Sequence, residues 1–170
     1  MGYVAATTVL SHWNHRIDGM QQSANEFYTE VERVLAVQNV DKIKAERVNL
    51  SEGGIFTGKR EYLQIRRGEQ LFHVCAAPFG NGFFISSWLG VKESGFWAWL
   101  AMLPGIGFFV QRFLKPLTYY KIDTSLMFQS ITHGAIMEVV DALTKAKGLR
   151  SLTENERKPV MRDFFANIGG

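Results

Sequence analysis

At 170 residues, with a formal net charge of +3 and a pI near 9.1, the chain is long enough to bury a core of its own and too mildly basic to demand a nucleic-acid partner. Its 46% hydrophobic and 21% charged content is that of a globular protein, and a single cysteine, Cys75, excludes an internal disulfide or a thiolate zinc site. Met1 to Trp13 lacks a basic leader region, and Ala6 stands where a myristoylation signal has Ser or Thr, so cytoplasmic residence is the expectation.

Asp18 and Gln21 have the spacing of a capping box. Beyond them Met20, Ala24, Phe27, Tyr28, Val31, Val34 and Leu35 recur every three or four residues, which predicts an amphipathic helix from about Asp18 to Val37, packed on a sheet. His12 and His15, three apart, would share a helix face as a metal pair. No local acid or cysteine completes such a site, so they read as surface or capping histidines.

Strand patterns follow. Lys42–Leu50 alternates, Ser51-Glu52-Gly53-Gly54 marks a turn, and Glu61–Arg66 turns through Arg67-Gly68 into Gln70–Ala77. Asn81-Gly82 signals a hairpin into Phe83–Val91. Within this meander Arg60, Tyr62, Gln64 and Arg66 share one strand face, with Lys59 and Arg67 beside them. The basic, aromatic strip reads either as a solvated face or as a contact for the phosphates of lipid headgroups or nucleic acid. His73 and Cys75 also share a face. A thiol nucleophile with a histidine base is one reading, but nothing marks the thiol as activated, and a packed cysteine is the expectation.

Ser94 to Gln111 then runs 18 residues without a charge. A membrane-crossing helix needs about 20 apolar residues, and Pro104-Gly105-Ile106-Gly107 breaks the middle of this run. Lys92 before it and Arg112 and Lys115 after it put positive charge at both ends, as expected of a segment that enters and leaves on the cytoplasmic side. The run is therefore expected to form an apolar helical hairpin. Phe96, Trp97, Trp99, Leu100, Leu103, Pro104, Ile106, Phe108, Phe109, Val110 and Phe113 are its candidate membrane or interface residues. Arg60, Arg66, Arg67, Lys92, Arg112 and Lys115 are the candidate headgroup or anion contacts. An oligomer interface and an ordinary buried helix pair are the alternatives.

Past the run, Thr118–Phe128 alternates as a fifth strand, and Ser130 opens a helix with His133 in its first turn and Ile136, Val139, Val140 and Leu143 as its stripe. Lys145, Lys147 and Gly148 end it. Thr153–Glu156 has capping-box form, but Pro159 favours a last helix starting there, with Val160, Met161, Phe164, Phe165 and Ile168 on its apolar face.

These elements predict an α+β fold: one domain over 1–170 with a hairpin insertion at 94–114, an N-terminal helix, about five antiparallel strands and two C-terminal helices. No phosphate loop, serine elbow or paired-histidine zinc helix is present. The expected role is a non-enzymatic, membrane-associated scaffold or localisation protein on the inner face of a membrane, self-associating and without cofactor or metal. A soluble assembly subunit using the hairpin as its interface is the alternative. A small enzyme or ligand-binding domain, with His73 and Cys75 as its chemistry, is the third reading. Nucleic acid is not expected as a partner.

Overall fold

The computed structural model of the chain describes residues 8–51, 59–92 and 118–161. The described elements are β1 (Thr8–Asp18), α1 (Ala24–Val37), β2 (Lys44–Ser51), β3 (Lys59–Arg67), β4 (Gln70–Phe79), β5 (Gly82–Val91), α2 (Tyr119–Ala146), α3 (Glu154–Arg157) and β6 (Val160–Met161). The class is α+β, with six strands in the order β2-β3-β4-β5-β1-β6, every neighbouring pair antiparallel.

Strands β2 to β5 form the expected meander because their residues alternate and their turns suit the backbone. Gly68 sits at φ +60 between β3 and β4, and Gly80 at φ +62 opens the two-residue Gly80-Asn81 loop between β4 and β5. Glycine at the first loop position is the type II′ pattern, so the turn lies one residue earlier than the Asn81-Gly82 pair implies. Gly82 instead opens β5 opposite Asp18, where any Cβ would lie 2.8 Å from the carbonyl oxygen of Ile17.

The chain starts its sheet earlier than expected. Thr8–Asp18 is a strand, not an approach to a helix, and it pairs along almost the whole of β5. Trp13 and Ile17 are buried towards the helices while Asn14, Arg16 and Asp18 are exposed on the other side. The first helix accordingly begins at Ala24, with Ser23 as its N-cap, and the Asp18–Gln21 capping box does not form.

The second correction concerns Thr118–Phe128, which is helix and not strand. It forms the first part of the 28-residue α2, which Ser130 continues and does not open. Thr118 caps it by accepting a hydrogen bond from the Lys121 amide at 3.3 Å. The buried stripe is Ser125, Phe128, Gln129, Thr132, Ala135, Ile136, Val139 and Val140, at helical spacing. The third correction is at the end. Thr153 and Glu156 do form a capping box, on the one-turn α3, and Val160–Met161 is an edge strand on β1 where a helix is expected. The remainder of that expected helix lies outside the described residues, as does the apolar hairpin.

Both long helices pack on one face of the sheet, against Leu63, Ile65, Phe72, Val74, Phe83, Ile85 and Leu89. From its first turns onward α2 meets Gln70, then Phe72, then Trp13. Its N-terminus therefore overhangs the sheet end formed by Lys44, Arg66, Gln70 and Val91. Among the described residues no helix is long and apolar enough to cross a membrane.

Candidate functional site

Strand alternation sends every second residue to the sheet face opposite the helices. The register aligns these residues in rows. Glu46, Gln64, His73, Trp88 and His12 form one row across β2, β3, β4, β5 and β1. Beside it Cys75 faces Ser86, and next Ala77 faces Phe84. Arg60 and Tyr62 of β3 lie on the same face, next to Cys75. The basic strip and the His73/Cys75 pair, separate features of the sequence, thus meet on one face. On this face Cys75, at 1% exposure, Ser86 at 6% and His73 at 9% are buried, while Trp88 is 41% exposed.

The first row is a hydrogen-bonded chain. The Gln64 amide donates from Nε2 to the Glu46 carboxylate at 2.7 Å, which leaves Gln64 Oε1 as acceptor for His73 Nε2 at 3.0 Å. His73 therefore carries its proton on Nε2. Burial pushes its pKa down, so the ring is neutral at neutral pH. On the same row Trp88 stacks on His12, ring centroids 5.1 Å apart.

Cys75 is arranged differently. Burial pushes its thiol up, while the Arg60 guanidinium and then the Tyr62 hydroxyl pull it down, and burial prevails. A protonated thiol is a poor nucleophile, and the ring nitrogen of His73 is directed to Gln64. The nucleophile reading of the pair has no activated thiol to rest on.

A feature invisible in the local pattern sits behind this cluster. The β3–β4 ladder ends at Leu63–Val74 although both strands continue. Where the next pairing would fall, the hydroxyl of Tyr28 enters from α1. The Ala76 amide donates to it at 2.9 Å, and it donates to the Glu61 carbonyl at 3.0 Å. The phenol bridges two strands that no longer bond each other. Burial keeps it protonated, its pKa pushed up to about 12, so it can donate and accept at once. The strands are therefore held apart where Arg60, Tyr62 and Cys75 meet on the far face.

The remaining candidates fall elsewhere. His12 and His15 lie on opposite faces of β1, because three residues along a strand reverse the side-chain direction, so they do not form a metal pair. Among the described residues no group of three or more His, Cys, Asp or Glu side chains gathers to hold a metal. His133 is mid-helix, its Nε2 donating to the Arg157 carbonyl at 2.7 Å. Arg66 lies 4.0 Å from Glu46, Arg67 donates to the Asp41 carbonyl at 3.4 Å, and Lys92 donates its amide to the Glu69 carbonyl at 2.8 Å. Phe96, Trp97, Trp99, Leu100, Leu103, Pro104, Ile106, Phe108, Phe109, Val110 and Phe113, with Arg112 and Lys115, lie outside the described residues. Trp88, Ser86 and Tyr28 are the site residues that the sequence does not single out. The alternation of Phe84, Ser86 and Trp88 is the signal for the first two.

His73 and His133 are both held neutral by burial. The unfolded chain takes up protons on them near pH 6.5 while the folded chain resists, so stability is full above that pH and falls as pH drops below it. Urea unfolding at pH 7.5 and 5.5 is expected to give a lower midpoint at 5.5. The slope will not exceed about 1.4 kcal/mol per pH unit for each histidine. Equal midpoints would show that neither ring is shielded as described.

No family model, curated protein or solved structure matches this chain.

Proposed function

We propose that the chain is a non-enzymatic, membrane-associated protein whose α+β domain sits on the cytoplasmic surface and whose apolar segment dips into one leaflet, serving localisation or scaffolding. What supports the reading is where the segment leaves and rejoins the fold. Lys92 directly follows β5 and Thr118 caps α2, both at the sheet end that carries Lys44, Arg66 and Arg67. Cations there, counting Lys42 and Lys121, outnumber the acids Asp41, Glu46, Glu69 and Asp123. Tyr119 and Tyr120, on the turn that follows the segment, are 81% and 80% exposed, and Leu126 and Met127 continue the exposed apolar surface. Amphipathic rings beside an uncharged run, with cations at the same end, match the requirements of an anionic bilayer interface.

Flotation with anionic and neutral vesicles tests this. Wild type is expected to float, more strongly with anionic vesicles and less at high salt. A Trp97→Asp, Phe108→Asp variant should stay in the soluble fraction, and a Lys44→Gln, Arg66→Gln, Arg67→Gln variant should lose the preference for anionic lipid. Wild type remaining soluble with both vesicle types would overturn the proposal and turn the segment into a protein interface, which its mass in solution would identify.

A further inference from the structure

On one side the sheet ends at β2, whose outer edge no strand covers among the described residues. A bare edge offers a row of backbone N–H and C=O groups to any further strand, and proteins guard such rows with bulges, proline, short strands or inward charges. The opposite edge is guarded: β1 has a register irregularity between Val9 and Ser11, and β6 covers Ser11 and His12. By contrast β2 runs eight residues without proline, in unbroken register with β3 from Lys44–Arg66 to Ser51–Lys59. Its charges are tied back to their own fold. Arg47 turns onto α1, where Asn25, Thr29 at 2.8 Å and Glu32 at 3.1 Å take its guanidinium. Glu46 accepts from Gln64 and lies 4.0 Å from Arg66. An unpaired inward charge would repel an incoming strand, but Arg47 is neutralised where it stands. Lys44, the remaining charge, is the first residue of the strand. Ala45 and Asn49 are exposed on the helix side, and Val48 and Leu50 are half-buried on the other, with Tyr62 opposite Val48 on β3.

We propose that β2 pairs with β2 of a second copy of this chain, antiparallel about a two-fold axis at Val48 and normal to the sheet, joining two six-stranded sheets into one. The strand is complementary to itself in that register. Val48 meets Val48, Glu46 meets Leu50, Arg47 meets Asn49 and Ala45 meets Ser51, so no like charges face each other. An axis at Arg47 or Glu46 would set each of those charges against its own copy, and one at Ala45 would pair only Lys44 to Glu46. An axis lying in the sheet plane would bring apolar Val48 against Arg47. The axis normal to the sheet keeps the helices of both copies on one face and gathers Val48, Leu50 and Tyr62 of both on the other. Because it reverses the strands, the two Lys44 ends lie at opposite extremities of the joined sheet. A dimer docked on lipid through those ends would therefore link two vesicles, a consequence that alone rests on the membrane reading.

Cys75 is the sole cysteine of the chain, so Cys75→Ser gives a background in which one introduced thiol reports the register. Residues directly opposite in an antiparallel pair have Cα atoms about 4.5–5.5 Å apart, within reach of a disulfide. Under mild oxidation Val48→Cys is expected to form a covalent dimer at least tenfold faster than Glu46→Cys, whose thiols the same axis sets four residues, about 13 Å, apart. Sedimentation without vesicles tests the dimer itself, on the full chain carrying Trp97→Asp and Phe108→Asp so that association through the apolar segment does not contribute. The mass is expected to rise from one chain to two with concentration, and adding Val48→Lys should return it to one chain with an unchanged circular dichroism spectrum. A single-chain mass at every concentration, a dimer that survives Val48→Lys, or equal cross-linking at Val48→Cys and Glu46→Cys would each overturn the assignment. Vesicle flotation is read separately, so failure of the membrane reading leaves this result standing.

Discussion

Replacing Tyr28 by phenylalanine is expected to destabilise the protein by about 2 kcal/mol, although it removes one oxygen atom and keeps the ring. The ring packs among core residues, edge-on to Phe27. What is lost is the acceptor for the Ala76 amide and the donor to the Glu61 carbonyl. Ala76 is buried at 3% exposure, so its amide cannot turn to water, and an unsatisfied buried donor costs about 1–3 kcal/mol. The Glu61 side chain is exposed, and its carbonyl has the easier route to solvent. The alternative relaxation closes the strands, with the Ala76 amide reaching Glu61 directly. That would recover part of the loss and close the gap between β3 and β4 beside Cys75. Urea unfolding measures the cost, and amide exchange at Ala76 separates the two relaxations. A midpoint equal to wild type with unchanged exchange at Ala76 would mean that the phenol hydroxyl is no part of the sheet.

This wedge also marks where the sequence stops being informative. That Arg60, Tyr62 and Gln64 share a face, as do His73 and Cys75, follows from alternation within one strand. That the two faces coincide follows from the pairing of β3 with β4, which the short turn at Gly68 made legible. The gap held open by Tyr28 depends on a side chain 33 residues from Glu61 and 48 from Ala76 in sequence, and no local pattern encodes it. His12 and Trp88 are likewise brought together by the β1–β5 ladder alone.

Two of the three misread elements, β1 and α2, have physical causes of their own. In β1 the outward residues His12, Asn14 and Arg16 face away from Trp13, His15 and Ile17, but two histidines and a register irregularity between Val9 and Ser11 obscure the period. In α2 the buried side of the first turns is polar. Ser125 donates to the Lys121 carbonyl at 2.9 Å and accepts from Gln70 Nε2 at 2.9 Å, and Thr132 donates to the Phe128 carbonyl at 2.8 Å. With their hydroxyls satisfied these residues can face the sheet, while Tyr119, Tyr120, Leu126 and Met127 face outward. A hydrophobicity pattern therefore points to the wrong side, and Tyr120, Ile122, Thr124, Leu126 and Phe128 imitate a strand. The apolar side reappears at Ala135, Ile136, Val139 and Val140, and there helix is the correct expectation.

Trp13→Ala is expected to have the larger effect, about 4 kcal/mol, because the indole closes the fold as well as filling space. It is 3% exposed and meets the ring of His133 edge-on at 5.4 Å. Its Nε1 donates to the Glu156 carbonyl at 2.6 Å, and His133 Nε2 donates to the next carbonyl, that of Arg157. The one-turn α3 is thus held by two aromatic donors, one from β1 and one from α2. A single helical turn does not persist by itself, and the local devices serve to preform it. Thr153 and Glu156 cap each other, and Glu156 also takes two hydrogen bonds from Arg150, which with the Thr153 groups hold its carboxyl far below the usual range. Arg157 forks onto Asp141 of α2 at 2.9 and 2.6 Å. Removing the indole leaves a cavity between β1 and α2 and strips the Glu156 carbonyl of its donor, so α3 and the β6 pairing at Ser11 and His12 should loosen together. Trp13→Phe separates the two contributions, with about 1 kcal/mol expected from the lost hydrogen bond beyond the reduced packing. Urea unfolding gives the magnitudes, and limited proteolysis between Leu149 and Val160 gives the location. If Trp13→Ala lowers stability by less than about 1 kcal/mol, or the new cleavage falls outside that segment, β1 is not what anchors the end of the described chain.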